Sequence, residues 1–502
     1  MTRNRIAGHN SIIPIVAACI AALGLYLATS APDVLWGDSA KFQRIAYTGE
    51  IESNVFGHPL WILAAQQLSH LPVRDIAWRP TLLAALCGAA TVALVFTLIR
   101  SVVNSRTSQW ANFAAVVGAG SLTVSHTFWL HSVIAEIYTL NTLITTLLVF
   151  FLWKWHQTTQ LRTALTWAAG TGLFIGMGMA NHLIIATIVP GLACGMLVAR
   201  KPIQACGISI LMAAAFALIG WTLALAPVRG ASPLSNIGPV EMSSVIDGLL
   251  DPGIVTSVVL FAALIAYQFP GPSLLLALPG IRFSWRANSA WTVGLLLACA
   301  GTSVWAFTFR VPDQYAFFII TYLFASVWIG LGAAWLFERW NPSRARLAAL
   351  SAAALAVVLP IGTYTVAPRL VSGLGLRDIF PMRDLPGRDA LTFFLWPPKN
   401  GTSARAYARS ALGHAASNGL LLADYALAEP LRYVQQVEGL RTDVEVVTLD
   451  VDRQARFLTA KPHDRALYLA AQGQYYAMQE IQHRFEIVAE GPLFALKWKR
   501  PR

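Results

Sequence analysis

The chain has 502 residues, of which 56% are hydrophobic and 12% are charged, and its formal net charge is +12. A soluble globular protein usually carries about twice that charged fraction, and apolar runs recur here from residue 11 to residue 366. The composition therefore excludes an ordinary soluble protein. Because no nucleic-acid signature accompanies the basic residues, membrane topology explains them better than a nucleic-acid partner does.

The first apolar run covers residues 11–30 and follows Arg3 and Arg5. Signal peptides share this pattern, but the run is about twenty residues long, near the length that crosses a bilayer. We interpret it as a retained first span. The next segment, residues 31–80, is the first predicted outer loop, with short amphipathic helices on the membrane surface at 38–47 and 58–71.

The apolar runs together predict about eleven spans. Lysine and arginine concentrate in alternate loops, which predicts a cytoplasmic N-terminus in the inner (plasma) membrane. An odd number of spans puts the C-terminus outside, whereas an even number would reverse that conclusion. The predicted spans are 11–30, 81–100, 111–130, 137–153, 163–180, 183–199, 203–225, 253–269, 289–308, 315–336 and 346–366.

The composition changes after residue 366, where no further long apolar run occurs. Strand patterns at 420–423, 444–449 and 466–469 alternate with helical patterns at 403–416, 427–439 and 452–460, which is typical of an α/β domain with a largely parallel sheet. The sequence thus predicts a polytopic α-helical membrane domain at 1–366 and an extracytoplasmic α/β domain at 367–502. The five cysteines lie in or beside apolar runs, so neither a disulfide framework nor a thiolate metal site is expected.

Two acidic motifs flank different spans on the predicted outer side. Asp38 follows the first span and is a candidate catalytic base, although an Asp-Ser pair ahead of a helix is also typical of an N-cap. Glu136 starts a later span with His131, Tyr138 and Asn141 nearby. An acid at a membrane boundary needs partners or a function, but this group also fits an interfacial aromatic belt.

Other polar residues at outer span ends are candidates for substrate binding. Arg229 and Arg310 suit bidentate binding of a phosphate, or alternatively they snorkel or pair with a neighbour such as Asp313. His182 lies in a predicted outer hairpin. Because His126, His131 and His182 lack metal-ligand spacing, no metal is expected, and Walker, GxGxxG, GxSxG and HExxH motifs are absent.

Several stretches resemble a membrane family long described only as a domain of unknown function, which is related to protein O-mannosyltransferases within the GT-C glycosyltransferases. The stretches are Gly37-Asp38-Ser39, Gly57-His58-Pro59-Leu60, Val133-Ile134-Ala135-Glu136-Ile137-Tyr138-Thr139-Leu140-Asn141, Val311-Pro312-Asp313-Gln314-Tyr315 and the tail segment 430–444.

This resemblance implies a GT-C-like fold and an enzyme that moves a sugar from a polyprenyl-phosphate carrier to a protein or glycan acceptor at the outer face. Asp38 matches the family's acidic residue in the first outer loop, and Glu136 would act beside it. His58, Asp313 and Tyr315 lie in the matching motifs and are expected in the substrate site. Asp424 follows a predicted strand, a position at which open sheets bind ligands, and it is expected to contact the acceptor. No cofactor is expected beyond the lipid-linked donor.

A lipid or small-solute transporter or flippase is the alternative hypothesis. An inverted repeat or a charge deep within a span would favour transport, and the sequence shows neither. A structural subunit of the cell envelope is a third hypothesis, for which Asp38 would be dispensable.

Overall fold

The fold is that of a computed structural model, and it describes residues 12–50, 58–106, 110–227, 253–308, 311, 313–340, 342–379, 382–399, 401, 403–461 and 464–499. Most of the first 373 residues are helical. The helices are α1 (Ile13–Thr29), α2 (Asp38–Thr48), α3 (Pro59–Ser69), α4 (Trp78–Asn104), α5 (Ala111–Thr123), α6 (His126–Ser132), α7 (Tyr138–Gln157), α8 (Leu161–Asn181), α9 (Val189–Leu197), α10 (Ile203–Leu225), α11 (Ile254–Gln268), α12 (Ala277–Ala287), α13 (Ser289–Thr308), α14 (Ile319–Phe337) and α15 (Pro342–Gly373).

Within the described residues, five helices are long and apolar enough to cross a membrane, and seven do so if each bent pair counts as one span. One bent pair joins α5 to α6 at 68°, and the other joins α11 to the segment Pro272–Ala287 at 102°. The chain is therefore a helical membrane protein. The predicted count of eleven is not confirmed, because α1 and the segment Leu183–Leu197 are shorter apolar helices and because α7 and α8 are not among the helices apolar enough to cross a membrane.

Helices α8 and α10 pack with their backbones in close approach. A Cβ atom added at Gly172 would lie 2.0 Å from the carbonyl oxygen of Ala213, and one at Gly176 would lie 1.9 Å from that of Ala217. Two glycines four residues apart on one helix face allow such contact between membrane helices. This packing fixes α8, which ends at Asn181 beside the polar end of the membrane domain.

The C-terminal part is an α/β domain with a five-stranded sheet in the order β2-β1-β3-β5-β4. Strands β1 and β2, and β1 and β3, are parallel, whereas β5 is antiparallel to β3 and β4. The three predicted strands and the helices beside them are confirmed. The β4–β5 hairpin was not predicted, and because it adds two antiparallel pairings the sheet is mixed rather than largely parallel. The elements are α16 (Ala390–Leu395), α17 (Ser403–His414), β1 (Leu420–Leu422), α18 (Tyr425–Glu438), β2 (Glu445–Val447), α19 (Val451–Thr459), β3 (Leu467–Leu469), α20 (Met478–Arg484), β4 (Phe485–Glu490) and β5 (Leu493–Trp498).

Both helices predicted in the first outer loop are present, but the polar face of α2 is covered by protein. The Arg44 side chain is 7% exposed and its Nε donates a hydrogen bond to Glu429 of α18 at 3.2 Å. The backbone N–H of Gly37 also donates to the carbonyl of Ala426 at 3.3 Å. Trp36 and Tyr407 rings pack with centroids 5.4 Å apart. The α/β domain therefore holds α2 in place.

Replacing Glu429 with Ala should lower the free energy of unfolding by about 3 kcal/mol, since it removes a buried carboxylate that pairs with both Arg44 and Arg432 and leaves Arg44 only the more exposed carboxylate of Glu50. Glu445→Ala is the control, because it breaks a more exposed pair with Arg465 and should lose only about 0–1 kcal/mol. Reversible unfolding of the full chain in detergent measures both values. Equal small losses would contradict a structural role for the Arg44–Glu429 pair.

Candidate active site

The Asp38 carboxylate is exposed at the start of α2. Gly37, not Asp38, is the N-cap residue, with φ of 59° and no side-chain capping bond, so the capping interpretation is wrong. Glycine suits this position because side chains disfavour positive φ. The Asp38 carboxylate instead accepts a hydrogen bond of 2.5 Å from the Tyr425 hydroxyl at the start of α18.

Glu136 lies in the loop between α6 and α7 and is only 8% exposed. The Ser39 hydroxyl donates a hydrogen bond to its Oε1 at 3.4 Å. Burial raises the pKa of Glu136 well above its usual value, and the negative charges of Asp38 and Asp313 raise it further. The consecutive residues Asp38 and Ser39 thus join the α/β domain to a buried acid of the membrane domain.

Asp313 completes this acid cluster, by which we mean Asp38, Glu136 and Asp313. Burial raises the pKa of Asp313, and the charge of Asp38 raises it further. A neighbouring negative charge disfavours the ionised form of a buried carboxyl, and this applies to Glu136 and Asp313. Raised carboxyl pKa values suit groups that exchange protons near neutral pH.

Aromatic rings surround a histidine next to the acid cluster. His131 is 4% exposed, and neither ring nitrogen has a hydrogen-bond partner among the described residues. Its ring centroid lies 4.7 Å from that of Tyr138 and 6.1 Å from that of Tyr315. Buried polar atoms usually have partners, so the two nitrogens of His131 are an exception within the described residues.

Asn141 and His182 extend the site along α7 and α8. The Asn181 side chain donates to Asn141 Oδ1 at 2.9 Å and accepts from the backbone N–H of Trp61 at 3.0 Å. His58 Nδ1 lies 2.6 Å from the Asn181 carbonyl. The His58 and His182 rings stack at 5.4 Å. This network holds His58 and the start of α3 against α7 and α8.

His126 does not join His131 and His182 in a metal site. Its Nε2 lies 2.5 Å from the carbonyl of Phe394, and its ring packs on Tyr267 and Tyr364. Within the described part of the chain, no group of three or more His, Cys, Asp or Glu side chains has the arrangement of a metal centre.

Asp424 lies beside the site but is occupied by structural contacts. Its carboxylate accepts hydrogen bonds from the N–H of Ala426, from the Tyr476 hydroxyl at 2.9 Å and from Arg383. Its acceptor-binding role stays a prediction, whereas its neighbour Tyr425 does reach Asp38. Arg229 and Arg310 lie outside the described residues.

Sequence reasoning missed two cations, the half-buried Arg388 and the buried Lys399, in the segment between the membrane helices and the α/β domain. Both line a cavity of about 290 Å³ that also contacts Trp36. Neither cation lies in a periodic stretch or a motif, so the sequence alone did not point to a role for either residue. Only the fold brings them beside Trp36.

Comparison with known proteins shows which families and folds the chain resembles. Residues 42–205 match a family described as the protein O-mannosyl-transferase TMEM260 N-terminal domain. The protein O-mannosyl-transferase TMEM260 of Mus musculus is 26% identical over 179 residues, which are 35% of this chain. The chain spans only 24% of the length of that curated relative.

Solved structures match over a larger share. ArnT from Cupriavidus metallidurans in the apo state has a TM-score of 0.57 at 12% identity, over 98% of both chains; a structure of ArnT bound to undecaprenyl phosphate has a TM-score of 0.55 at 11% identity, over 97% of both chains. The chain has a GT-C-type fold. The archaeal oligosaccharyltransferase AglB from Archaeoglobus fulgidus, in complex with an inhibitory peptide and a dolichol-phosphate, has a TM-score of 0.53 at 11% identity over 91% of this chain and 69% of that chain. The resemblance to protein O-mannosyltransferases that the sequence motifs indicate is confirmed over residues 42–205.

Glu136→Gln should be more stable than wild type at neutral pH, and this difference in stability should disappear in acid. Because the folded-state pKa of Glu136 is raised above the ordinary value of 4.5, folding takes up a proton. The stability that this proton provides is complete below pH 4.5 and is lost as pH rises through the folded-state pKa. Glutamine has no proton to lose, so its advantage should grow with pH.

Thermal unfolding of wild type and Glu136→Gln in detergent, from pH 4.5 to 8.5, measures this difference. A difference in melting temperature that does not change with pH would show that ionisation of Glu136 does not oppose folding.

Proposed function

We propose that this chain is an integral-membrane glycosyltransferase that moves a sugar from a polyprenyl-phosphate carrier to a protein or glycan acceptor. In this proposal the membrane domain has about eleven spans and lies in the inner (plasma) membrane. The N-terminus is cytoplasmic, and the α/β domain and the acid cluster lie on the outer side. The lipid-linked sugar is a substrate, and no further cofactor is invoked.

The acid cluster is the observation that carries the proposal. An exposed carboxylate, Asp38, stands beside the buried acid Glu136 at the junction of the membrane domain with the α/β domain. The GT-C-type fold supports the class of enzyme, and the printed ligands of ArnT and AglB, undecaprenyl phosphate and dolichol-phosphate, support the class of donor. The name of the mouse relative supports mannose as one candidate for the sugar that is transferred.

The chemistry follows from the exposure of Asp38. Its carboxylate accepts the proton of an acceptor hydroxyl as that oxygen forms a bond to the anomeric carbon of the sugar. The bond from the anomeric carbon to the phosphate oxygen breaks, and its electron pair leaves with the polyprenyl phosphate. One displacement of this kind inverts the anomeric centre.

The surrounding residues serve this displacement by holding the reacting groups. The Tyr425 hydroxyl fixes the Asp38 carboxylate, and Ser39 ties α2 to Glu136. His131 and Tyr138 shape the sugar pocket, with the two unpartnered nitrogens of His131 available to sugar hydroxyls. Such fixed geometry lowers the entropy loss on reaching the transition state.

Asp38→Asn should reduce sugar transfer at least about 100-fold, the usual contribution of a general base. The measurement is transfer of radiolabelled sugar from a panel of polyprenyl-phosphate sugars to acceptors in membranes that contain equal amounts of each variant. Asp452→Asn makes the same substitution at an exposed position in α19 and should retain full transfer.

Equal transfer by Asp38→Asn and wild type would remove Asp38 from the mechanism. Absence of transfer by wild type with every donor would instead favour the transporter hypothesis, which counterflow of the same labelled lipids in proteoliposomes would test.

His131→Phe should raise the KM for the donor about tenfold and change kcat less, because the ring still packs on Tyr138 and Tyr315 while its hydrogen bonds to sugar are lost. Steady-state kinetics with the active donor measures both constants. A fall in kcat with an unchanged KM would assign His131 to the chemical step instead.

A further inference from the structure

A cavity lies at the end of α7 that is remote from the acid cluster. Its volume is about 280 Å³, close to the lower end of the range for ligand pockets. We call it the basic pocket, and its lining consists of His156 and the segments 199–201 and 285–290. Tyr138 starts α7 near the acid cluster, and His156 follows it by about 27 Å along the helix axis. The basic pocket is therefore separate from the candidate active site.

Three cations converge on the basic pocket from two segments of the chain. Arg200 and Lys201 lie in the connection between α9 and α10, and Arg286 lies in the last turn of α12. Both arginines are exposed, whereas Lys201 is half-buried. The Nζ of Lys201 donates to the carbonyl of Thr158 and lies 4.7 Å from the ring centroid of Trp155. These contacts fix the position of Lys201 but supply no negative charge.

The elements that line the basic pocket carry no carboxylate. The sequence has no Asp or Glu between residues 137 and 240, or between residues 252 and 312. Within the described part of the chain, none of the three cations forms an ion pair. The positive end of α13, which begins at Ser289 in the same pocket, adds to their potential. A concave surface lined by charges of one sign attracts the opposite charge.

The surface beside the basic pocket is apolar. Leu197 and Val198 precede the lining segment 199–201 and Ile203 follows it, and all three side chains are at least half exposed. Trp285, which lines the pocket itself, is also about half exposed. Indole rings beside basic side chains are typical of the level at which lipid head groups meet hydrocarbon. A cationic pocket with an apolar border therefore favours an anionic amphiphile over a free anion.

Converging cations distinguish this pocket from the general excess of positive charge at the cytoplasmic ends of membrane helices. Arg162, in the first turn of α8, is an example of that general excess, since it is exposed on the same predicted side but lies outside the lining. Only the pocket residues can bind one phosphate group from several directions. Arginine binds phosphate through a bidentate fork, and lysine acts as a point charge.

We propose that the basic pocket binds the phosphate group of an anionic phospholipid, whose acyl chains lie along Leu197, Val198 and Ile203. This site goes beyond the proposed function, because it lies at the opposite end of α7 from the acid cluster. With the N-terminus cytoplasmic, the lipid belongs to the cytoplasmic leaflet, whose surface is negatively charged. Its phosphate offsets the charges of the three cations and joins the connection between α9 and α10 to the end of α12.

Lipid binding by the full chain in detergent tests this assignment. The delipidated chain is titrated with phosphatidylglycerol and, separately, with phosphatidylcholine, which has the same phosphate group but no net charge. Native mass spectrometry gives the affinity for the first bound lipid. Wild type should bind phosphatidylglycerol at least about tenfold more tightly than phosphatidylcholine, and salt should reduce this preference because it screens the charges.

Two substitutions in one variant remove the exposed cations of the pocket. Arg200→Gln combined with Arg286→Gln should weaken binding of phosphatidylglycerol about 25-fold, or about fivefold for each cation, and should leave binding of phosphatidylcholine unchanged. Lysine at both positions keeps the charges and should restore most of the affinity. Arg162→Gln is the matched control and should retain the affinity of wild type, because it removes an exposed cation outside the pocket.

A competitor separates the lipid from a free phosphate. Glycerol 3-phosphate carries the head-group phosphate without acyl chains and should displace little phosphatidylglycerol. Displacement of the lipid at a similar concentration of glycerol 3-phosphate would overturn the lipid assignment and show a site for small phosphates.

Three other results would contradict the proposal. Equal affinity of wild type for the two lipids would show that the pocket does not select an anionic head group. Equal losses in the double variant and in Arg162→Gln would show that the general charge of this side attracts the lipid. Equal losses for both lipids in the double variant would show that the two arginines only support the fold. Each of these results leaves the proposed sugar transfer intact, since none of the pocket residues belongs to the acid cluster.

Discussion

Repulsion among carboxylates is the constraint on which the site depends. Glu136 is buried, and the charges of Asp38 and Asp313 oppose its ionisation. Separating the acids would relieve this repulsion, yet Ser39 and Tyr425 hold α2 where Asp38 adjoins Glu136. Strain of this kind persists only where the surrounding fold enforces it, and it is common at functional sites.

The enforcing contacts come from the α/β domain. Arg44 and Glu429 form a buried pair across the junction, and Arg405 of α17 reaches Asp33 and Asp75, between α1 and α4, at 2.6 and 2.5 Å. The α/β domain therefore holds the described residues between α1 and α4 in place. It also supplies Tyr425 directly to the site.

Local pattern was sufficient to predict the helices, the first three strands and the two acids that flank different spans. It could not show that Gly37 rather than Asp38 caps α2, because Asp-Ser favours a cap wherever it precedes a helix. The β4–β5 hairpin was missed because its strands do not alternate strictly between buried and exposed residues, and Arg388 carries no pattern at all. Contacts such as Tyr425 with Asp38 join residues far apart in the chain, which one sequence without tertiary information does not reveal.

The central claim is that the acid cluster lies at the reacting centre and that Asp38 acts there on the acceptor. Electron cryo-microscopy of the chain with a non-transferable polyprenyl-phosphate sugar analogue tests it most directly. The account predicts that the sugar lies between Asp38 and His131. A lipid bound at the opposite end of the membrane domain, with its sugar remote from Asp38, would contradict it.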